Sequence, residues 1–295
     1  MEQQEEIYWT AFNAFQGIGS ARFKLLLEYF GSAKKAYGAP VEELVKIGLP
    51  KNLVSRLEKF RKNFDPDSYF LRVKKMGVEI LTYEDKNYPK LLKEISGPPF
   101  LLYVKSKNIK EIFNLKAIAV VGTRTPTNYG KKTTEMIVKQ LVDKGWVIVS
   151  GLARGIDQVA HQTAVKSNGL TIAVLGTSLD YIYPPENKIL AEEIFQKNGA
   201  IISEFPLGAK IEPGNFPARN RIISGLSLGV VVTEAACDSG SLITASWAAN
   251  QGREVFAVPG PVTSRFSAGT SELIKKGAKL VWNVNDILEE LNTNN

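Results

Sequence analysis

From residue 116 onward, short runs rich in Val and Ile alternate with stretches of helical periodicity, and this alternation constrains the chain more than any other feature. The apolar runs are Ala117–Val121, Val147–Val149, Thr171–Leu175, Ala200–Ile202, Gly229–Thr233, Glu254–Val258 and Lys279–Trp282. Helical spacing predicts helices over 129–144, 155–167, 186–198, 219–226, 240–251, 270–277 and 284–291. Strands with apolar residues on both faces, each followed by a helix, require a parallel sheet covered on both sides. The predicted fold is therefore α/β: a doubly wound, mostly parallel, Rossmann-like sheet.

What precedes it reads differently. Residues 1–64 carry short helical patterns punctuated by Gly and Pro, and predict a small all-helical domain. Within it, Phe15–Ser32 reads FQGIGSARFKLLLEYFGS. This stretch resembles a SAM-like or helix-hairpin-helix unit, with Gly17 and Gly19 in the turn. Such a turn either brings backbone N–H groups to a phosphate or simply packs a bundle. Residues 65–115 read as a connector with added strands, at VEIL and FLLYV, on the way into the α/β domain that runs to residue 295.

A chain of 295 residues with 44% hydrophobic content can bury a sizeable core. The polar, acidic start MEQQEEIYWT is not a signal peptide, and no apolar run is long enough to span a bilayer. One cysteine, Cys237, cannot form an internal disulfide. The expected setting is the cytoplasm, with no membrane partner. Net charge is +7, and the surplus lies early: residues 1–110 hold 19 Lys and Arg against 13 Asp and Glu, residues 111–295 hold 18 against 17. A basic balance favours anionic partners.

In an open parallel sheet, ligands bind beyond the carboxyl ends of the strands. The loops at that edge are unusually rich in Gly, hydroxyl groups and Arg. They carry Gly122, Thr123 and Arg124; then Gly151, Arg154 and Gly155; then Ser178 and Asp180, with Lys188 shortly after; then Phe216, Arg219, Asn220 and Arg221; then Ser239 and Gly240. Several helices start there, so free N–H groups and positive helix ends line the same edge. The edge reads as an anion-binding rim. Arg suits phosphate because its planar fork meets two oxygens at once, and Phe216 offers a face for a base. Residues two apart on a helix face different ways, so one of Arg219 and Arg221 is expected at the ligand and the other against Glu204 or Glu234.

Several chemistries are set aside. The dinucleotide fingerprint G-x-G-x-x-G is missing after the first strand, where the text is GTRTPTNYG. Gly130-Lys131-Lys132-Thr133 is not a P-loop: Thr125 stands where the first Gly belongs and Lys132 where a Ser or Thr is needed. One His and one Cys do not make a zinc site, and no carboxylates show EF-hand spacing, so no metal and no cofactor are expected. Asp157 and His161 share a helix face, and a structural hydrogen bond is the favoured reading over half a triad. Glu204, Glu234 and Asp180 all approach the rim. Paired carboxylates there keep open a nucleotide-processing enzyme of the phosphoribohydrolase type, although the Pro-Gly-Gly loop of those enzymes is replaced by EAACDSGSLITA.

Eight segments occur in order: VVGTR…YG, VSGLARGIDQVAH, TIAVLGTSLDYIYPPEN, ISEFPLG, FPARNRIISGLS, EAACDSGSLITA, GREVFAVPG and LIKKGAKLV. Together they resemble the DNA processing protein A family (DprA, or Smf) over about residues 80–285. The resemblance implies a non-catalytic protein that binds and protects single-stranded DNA and helps load the RecA recombinase during natural transformation and recombination. It implies a homodimer formed through the 270–281 region, and a DNA contact at Arg124. Three departures accompany it. Ser178 stands where many members have Gly. Pro185 follows Tyr-Pro where some have Lys, leaving Lys188 as the nearest cation. The winged-helix domain that ends many members is not expected here.

Overall fold

The computed structural model describes residues 3–293. Six helices come first: α1 (Gln3–Ala14), α2 (Ser20–Phe30), α3 (Ala33–Gly38), α4 (Val41–Lys46), α5 (Lys51–Asn63) and α6 (Pro66–Lys75). Their ends follow local chemistry. Ser32 accepts from Lys35 N to cap α3, Gly31 closes α2 in the left-handed region, and Asp65 caps α6 with Pro66 in its first turn. There follow β1 (Glu79–Thr82), α7 (Lys90–Lys93), β2 (Leu101–Ser106) and α8 (Ile109–Ile112).

The regular alternation then begins. It runs β3 (Ala117–Val121), α9 (Asn128–Asp143), β4 (Val147–Ser150), α10 (Ile156–Lys166), β5 (Thr171–Val174), α11 (Lys188–Gln196) and β6 (Ala200–Ser203). It continues with α12 (Asn215–Gly225), β7 (Gly229–Val232), α13 (Ser241–Asn250), β8 (Glu254–Ala257), α14 (Ala268–Lys275), β9 (Lys279–Leu280) and α15 (Val284–Thr293).

Among the described residues, nine strands form one sheet in the order β1-β2-β6-β5-β4-β3-β7-β8-β9. The strands from β3 onward are parallel, with Ile118 opposite Ile148 and Val120 opposite Val231. β2 joins β6 antiparallel, Val104 opposite Ile202, and β1 joins β2 the same way. The doubly wound, mostly parallel sheet read from the sequence is thus present, and the early strands extend it rather than standing apart.

Period-two alternation divides the core. Ala117, Ala119 and Val121 face one layer with Ile222, Ile223 and Ala245. Ile118 and Val120 face the other with Ile137, Leu141, Ala160 and Ile287. A third cluster runs unbroken from Trp9, Phe12 and Phe23 to Tyr103, Leu175 and Ile201, so the helical N-terminus and the sheet share buried surface.

Three predicted elements differ. Residues 66–75 form a helix inside the stretch read as connector. The last strand closes at Leu280 rather than Trp282. Finally, α12 starts at Asn215, four residues before the predicted Arg219, because Pro217 is tolerated in a helix's first turn, where no intrahelical N–H bond is lost.

Candidate nucleic-acid interface

The strand order reverses between β3 and β7, and a pocket of about 370 Å³ opens there. Its walls are the loop after β3 (Gly122–Thr125), one face of α12, the loop from β7 into α13, and Arg265 with Phe266. Phe216, Arg219, Asn220 and Ile223 reach it together because they lie three, four and seven residues apart on α12.

The β3 loop is held rigidly. Thr123 N donates to Glu234 O at 2.7 Å, and Ile156 N donates to Thr123 O at 3.1 Å. A Cβ on Gly122 would sit 2.6 Å from Ile156 Cγ1 and 2.8 Å from Glu234 O. Gly155 has φ +81°, and a Cβ there would run into the backbone of Thr123 and Arg124. These two glycines let the first and second loops press together, which lifts Arg124 outward. Gly130 has another purpose: the Glu234 carboxylate occupies the place of its missing Cβ. That carboxylate accepts from Thr127 N (2.9 Å) and Thr127 Oγ1 (2.6 Å), anchoring the positive start of α9. The P-loop-like text is therefore a helix anchor.

The arginines divide into two kinds. Arg219 is 4% exposed. Its Nη1 donates to Gly151 O at 2.6 Å and to Val174 O, and Nε donates to Asn220 Oδ1 at 3.3 Å. A Cβ on Gly151 would fall 2.6 Å from its guanidinium. Burial pulls the Arg219 pKa down to about 10, against the charge of Asp157. Burial likewise pushes Asp157 up, opposed by Arg219 and by the N–H groups of Ala153 and Gly151. Arg219 stays charged near neutrality, fixed in the pocket wall. Arg221 turns away: Nη2 donates to Glu204 Oε2 at 2.5 Å, and Gln251 donates to its carbonyl at 3.0 Å. So Arg221 is the brace, and Glu204 rather than Glu234 is its partner. Burial raises Glu204, and Arg221 opposes it.

Arg124 and Arg265 are exposed at the pocket's mouth. Among the described residues neither has a hydrogen-bonding or ionic partner; Arg265 lies over the Phe266 ring at 5.1 Å. Sequence reading missed Arg265 and Ile243. The signal for Arg265 was available: it follows the Pro259-Gly-Pro261 loop after β8, on the same carboxyl edge.

The structure gathers Gly122, Thr123, Arg124, Phe216, Arg219, Asn220, Ser239 and Gly240 around this pocket. The other candidates lie elsewhere. Gly151 and Gly155 stand behind it, supporting Arg219 and Arg124. Arg154 pairs with Glu186, on the stretch that leads to Lys188 at the start of α11. Ser178 is 2% exposed, so its Cβ does not project into the opening. Asp180 accepts from Gly208 N at 3.1 Å. Ser239 Oγ and Ser241 Oγ are 2.8 Å apart at the start of α13. The Phe216 ring is half-buried and tilts against Tyr183 at 5.5 Å.

The three carboxylates considered for hydrolysis, Glu204, Glu234 and Asp180, are each committed to separate structural bonds. Asp157 and His161 also find different partners. Asp157 accepts from Gly151 N at 3.0 Å, and His161 Nδ1 lies 2.7 Å from Thr171 Oγ1. Burial holds the His161 pKa at about 3. Among the described residues no three metal-capable side chains cluster, and no helix is long and apolar enough to cross a membrane.

A doubly wound sheet with a guanidinium-rimmed pocket at its switch point defines the class, and comparison supplies the family. Residues 79–292 match the family described as DNA recombination-mediator protein A. Protein Smf of Synechocystis sp. is 40% identical over 294 residues, which is 99% of this chain and 74% of that one. The X-ray structure of DNA processing protein A from Streptococcus pneumoniae superposes with a TM-score of 0.83 at 35% identity, covering 96% of this chain and 97% of that one. A structure describing the single-stranded DNA binding mode of DNA processing protein A from Helicobacter pylori gives 0.65 at 33% identity, covering 73% and 97%. The chain belongs to the DNA processing protein A (DprA/Smf) family.

Proposed function

We propose that this chain binds single-stranded DNA in the pocket between β3 and β7, and that it acts there as a recombination mediator. The observation that carries the reading is the pair of unpartnered, exposed guanidiniums, Arg124 and Arg265, at the mouth of a pocket whose wall holds a third, Arg219. Phosphate enters between the first two, and Phe216 offers its ring to a base. Membership of the family supports extending the proposal to protection of the strand, loading of RecA and a place in natural transformation, in a cytoplasmic setting. Pairing through the 270–281 region is supported by the short edge strand β9 and the 79% exposed Trp282 beside it. Residues 1–64 act as a helical module and 65–295 as the DNA-binding unit.

The test is fluorescence anisotropy with a labelled single strand and a duplex of equal length, across a salt series. Single-strand binding that weakens with salt at about −0.7 per phosphate contact, and weakens further in Arg124→Ala, supports the reading. Indifference to salt and to Arg124 defeats it.

A further inference from the structure

The pocket is not the end of the basic surface. Both α9 and α10 begin at its rim: Arg124 lies three residues before the Thr127 cap of α9, and Ala153 of the pocket wall lies three before α10. The helices run side by side away from the rim. The groove between them holds about 460 Å³ and is lined by Lys132 and Lys139 on one side and Lys166 on the other, with Met136 and Gln162 between. Lys132 and Lys139 are seven residues apart, hence on one face and about 10 Å from each other along the axis. All three lysines are exposed, and none has an ionic partner among the described residues. One carboxylate, Glu135, lines the groove. By contrast, the groove beside α13 and α14 sets Glu254 and Glu272 against Lys276.

We infer that a single strand leaving the pocket past Arg124 runs along the α9–α10 groove, its phosphates held by Lys132, Lys139 and Lys166. The inference rests on the pocket's being a DNA site. Point charges on both walls of the groove suit a repeating anion whose sequence is not read. Met136, 43% exposed, gives the strand an apolar contact midway.

The test uses the full chain and a triple variant, Lys132→Gln with Lys139→Gln and Lys166→Gln, at surface positions where folding should hold; a thermal melt checks this. Binding is measured with labelled oligothymidylates of about six and about twenty nucleotides, across salt. Expected is unchanged binding of the short strand. The long strand should bind about tenfold or more weakly, with a salt slope smaller by about 2, three contacts at about 0.7 each. Equal binding of the long strand by variant and wild type, with Arg124→Ala weakening both lengths, overturns the groove and leaves the pocket. Equal weakening of both lengths overturns it too, since the lysines then act only through the general field. Binding of polyglutamate lost in the variant, with DNA unaffected, assigns the groove to an acidic protein instead. Indifference of both lengths to Arg124→Ala removes the pocket itself.

Discussion

Two glycine-rich turns of this chain carry the same vocabulary, glycine beside arginine, and the structure uses them oppositely. In the N-terminal turn, Gly17 has φ +126°, and the space a Cβ needs is taken by Leu53 Cδ1 at 2.6 Å. Arg22 Nη1 donates to Gly17 O at 2.7 Å, and Arg56 Nη2 donates to Gln16 O at 2.6 Å. The turn's positive charges close on its own carbonyls. At the switch point the labour is divided. Arg219 satisfies carbonyls in the wall and Arg221 satisfies Glu204, which leaves Arg124 and Arg265 unclaimed. A glycine-arginine pattern marks a phosphate site only where the guanidinium has not already been taken by the protein.

The largest expected effect that probes this contrast is on stability. Arg219→Met leaves two carbonyls unanswered and Asp157 without its countercharge, and should cost about 3 kcal/mol or more in denaturant unfolding. Gly17→Ala strains a positive φ against Leu53 and should cost about 1–3 kcal/mol while leaving DNA affinity unchanged. Arg124→Ala should reverse that pattern: the melting midpoint holds, and single-strand affinity falls about tenfold or more, as expected for a lost charge-assisted bond of about 1.5–3 kcal/mol. Arg265→Ala should act in the same direction but more weakly, about threefold to tenfold, because its guanidinium is partly occupied by the Phe266 ring.

The smallest effect is on pH dependence. His161 is neutral in the fold, with its pKa near 3, and regains an ordinary value of about 6.5 on unfolding. The unfolded chain binds the extra proton between those values. Stability is therefore fully present above pH ~6.5 and falls as pH drops toward 3. His161→Gln should flatten the decline in melting midpoint between pH 7 and 5. An identical decline in the variant would show that another group controls it.

The sheet was legible because strands buried on both faces read as plain apolar runs, as in AIAVV at Ala117–Val121. The rim was legible because parallel topology sends every such loop to one edge. That Arg219 and Arg221 part ways followed from helical angle, but which of them turns inward did not, since it depends on Glu204 and on the carbonyls of Gly151 and Val174. The start of α12 was hidden because Pro217 reads as a boundary although a first turn accepts it. Gly130 reads as part of a nucleotide motif, and only the Glu234 carboxylate, far away in the chain, explains it. Residues 66–75 were missed although Asp65-Pro66 is a helix-start signature.

Arg124→Ala and Arg56→Ala measured side by side, by anisotropy of a labelled single strand across salt, test the central claim most directly. The account predicts that Arg124→Ala lowers affinity and reduces the salt slope by about 0.7, while Arg56→Ala changes neither. Loss of binding in Arg56→Ala, with Arg124→Ala behaving as wild type, would contradict it and move the DNA to the helical turn.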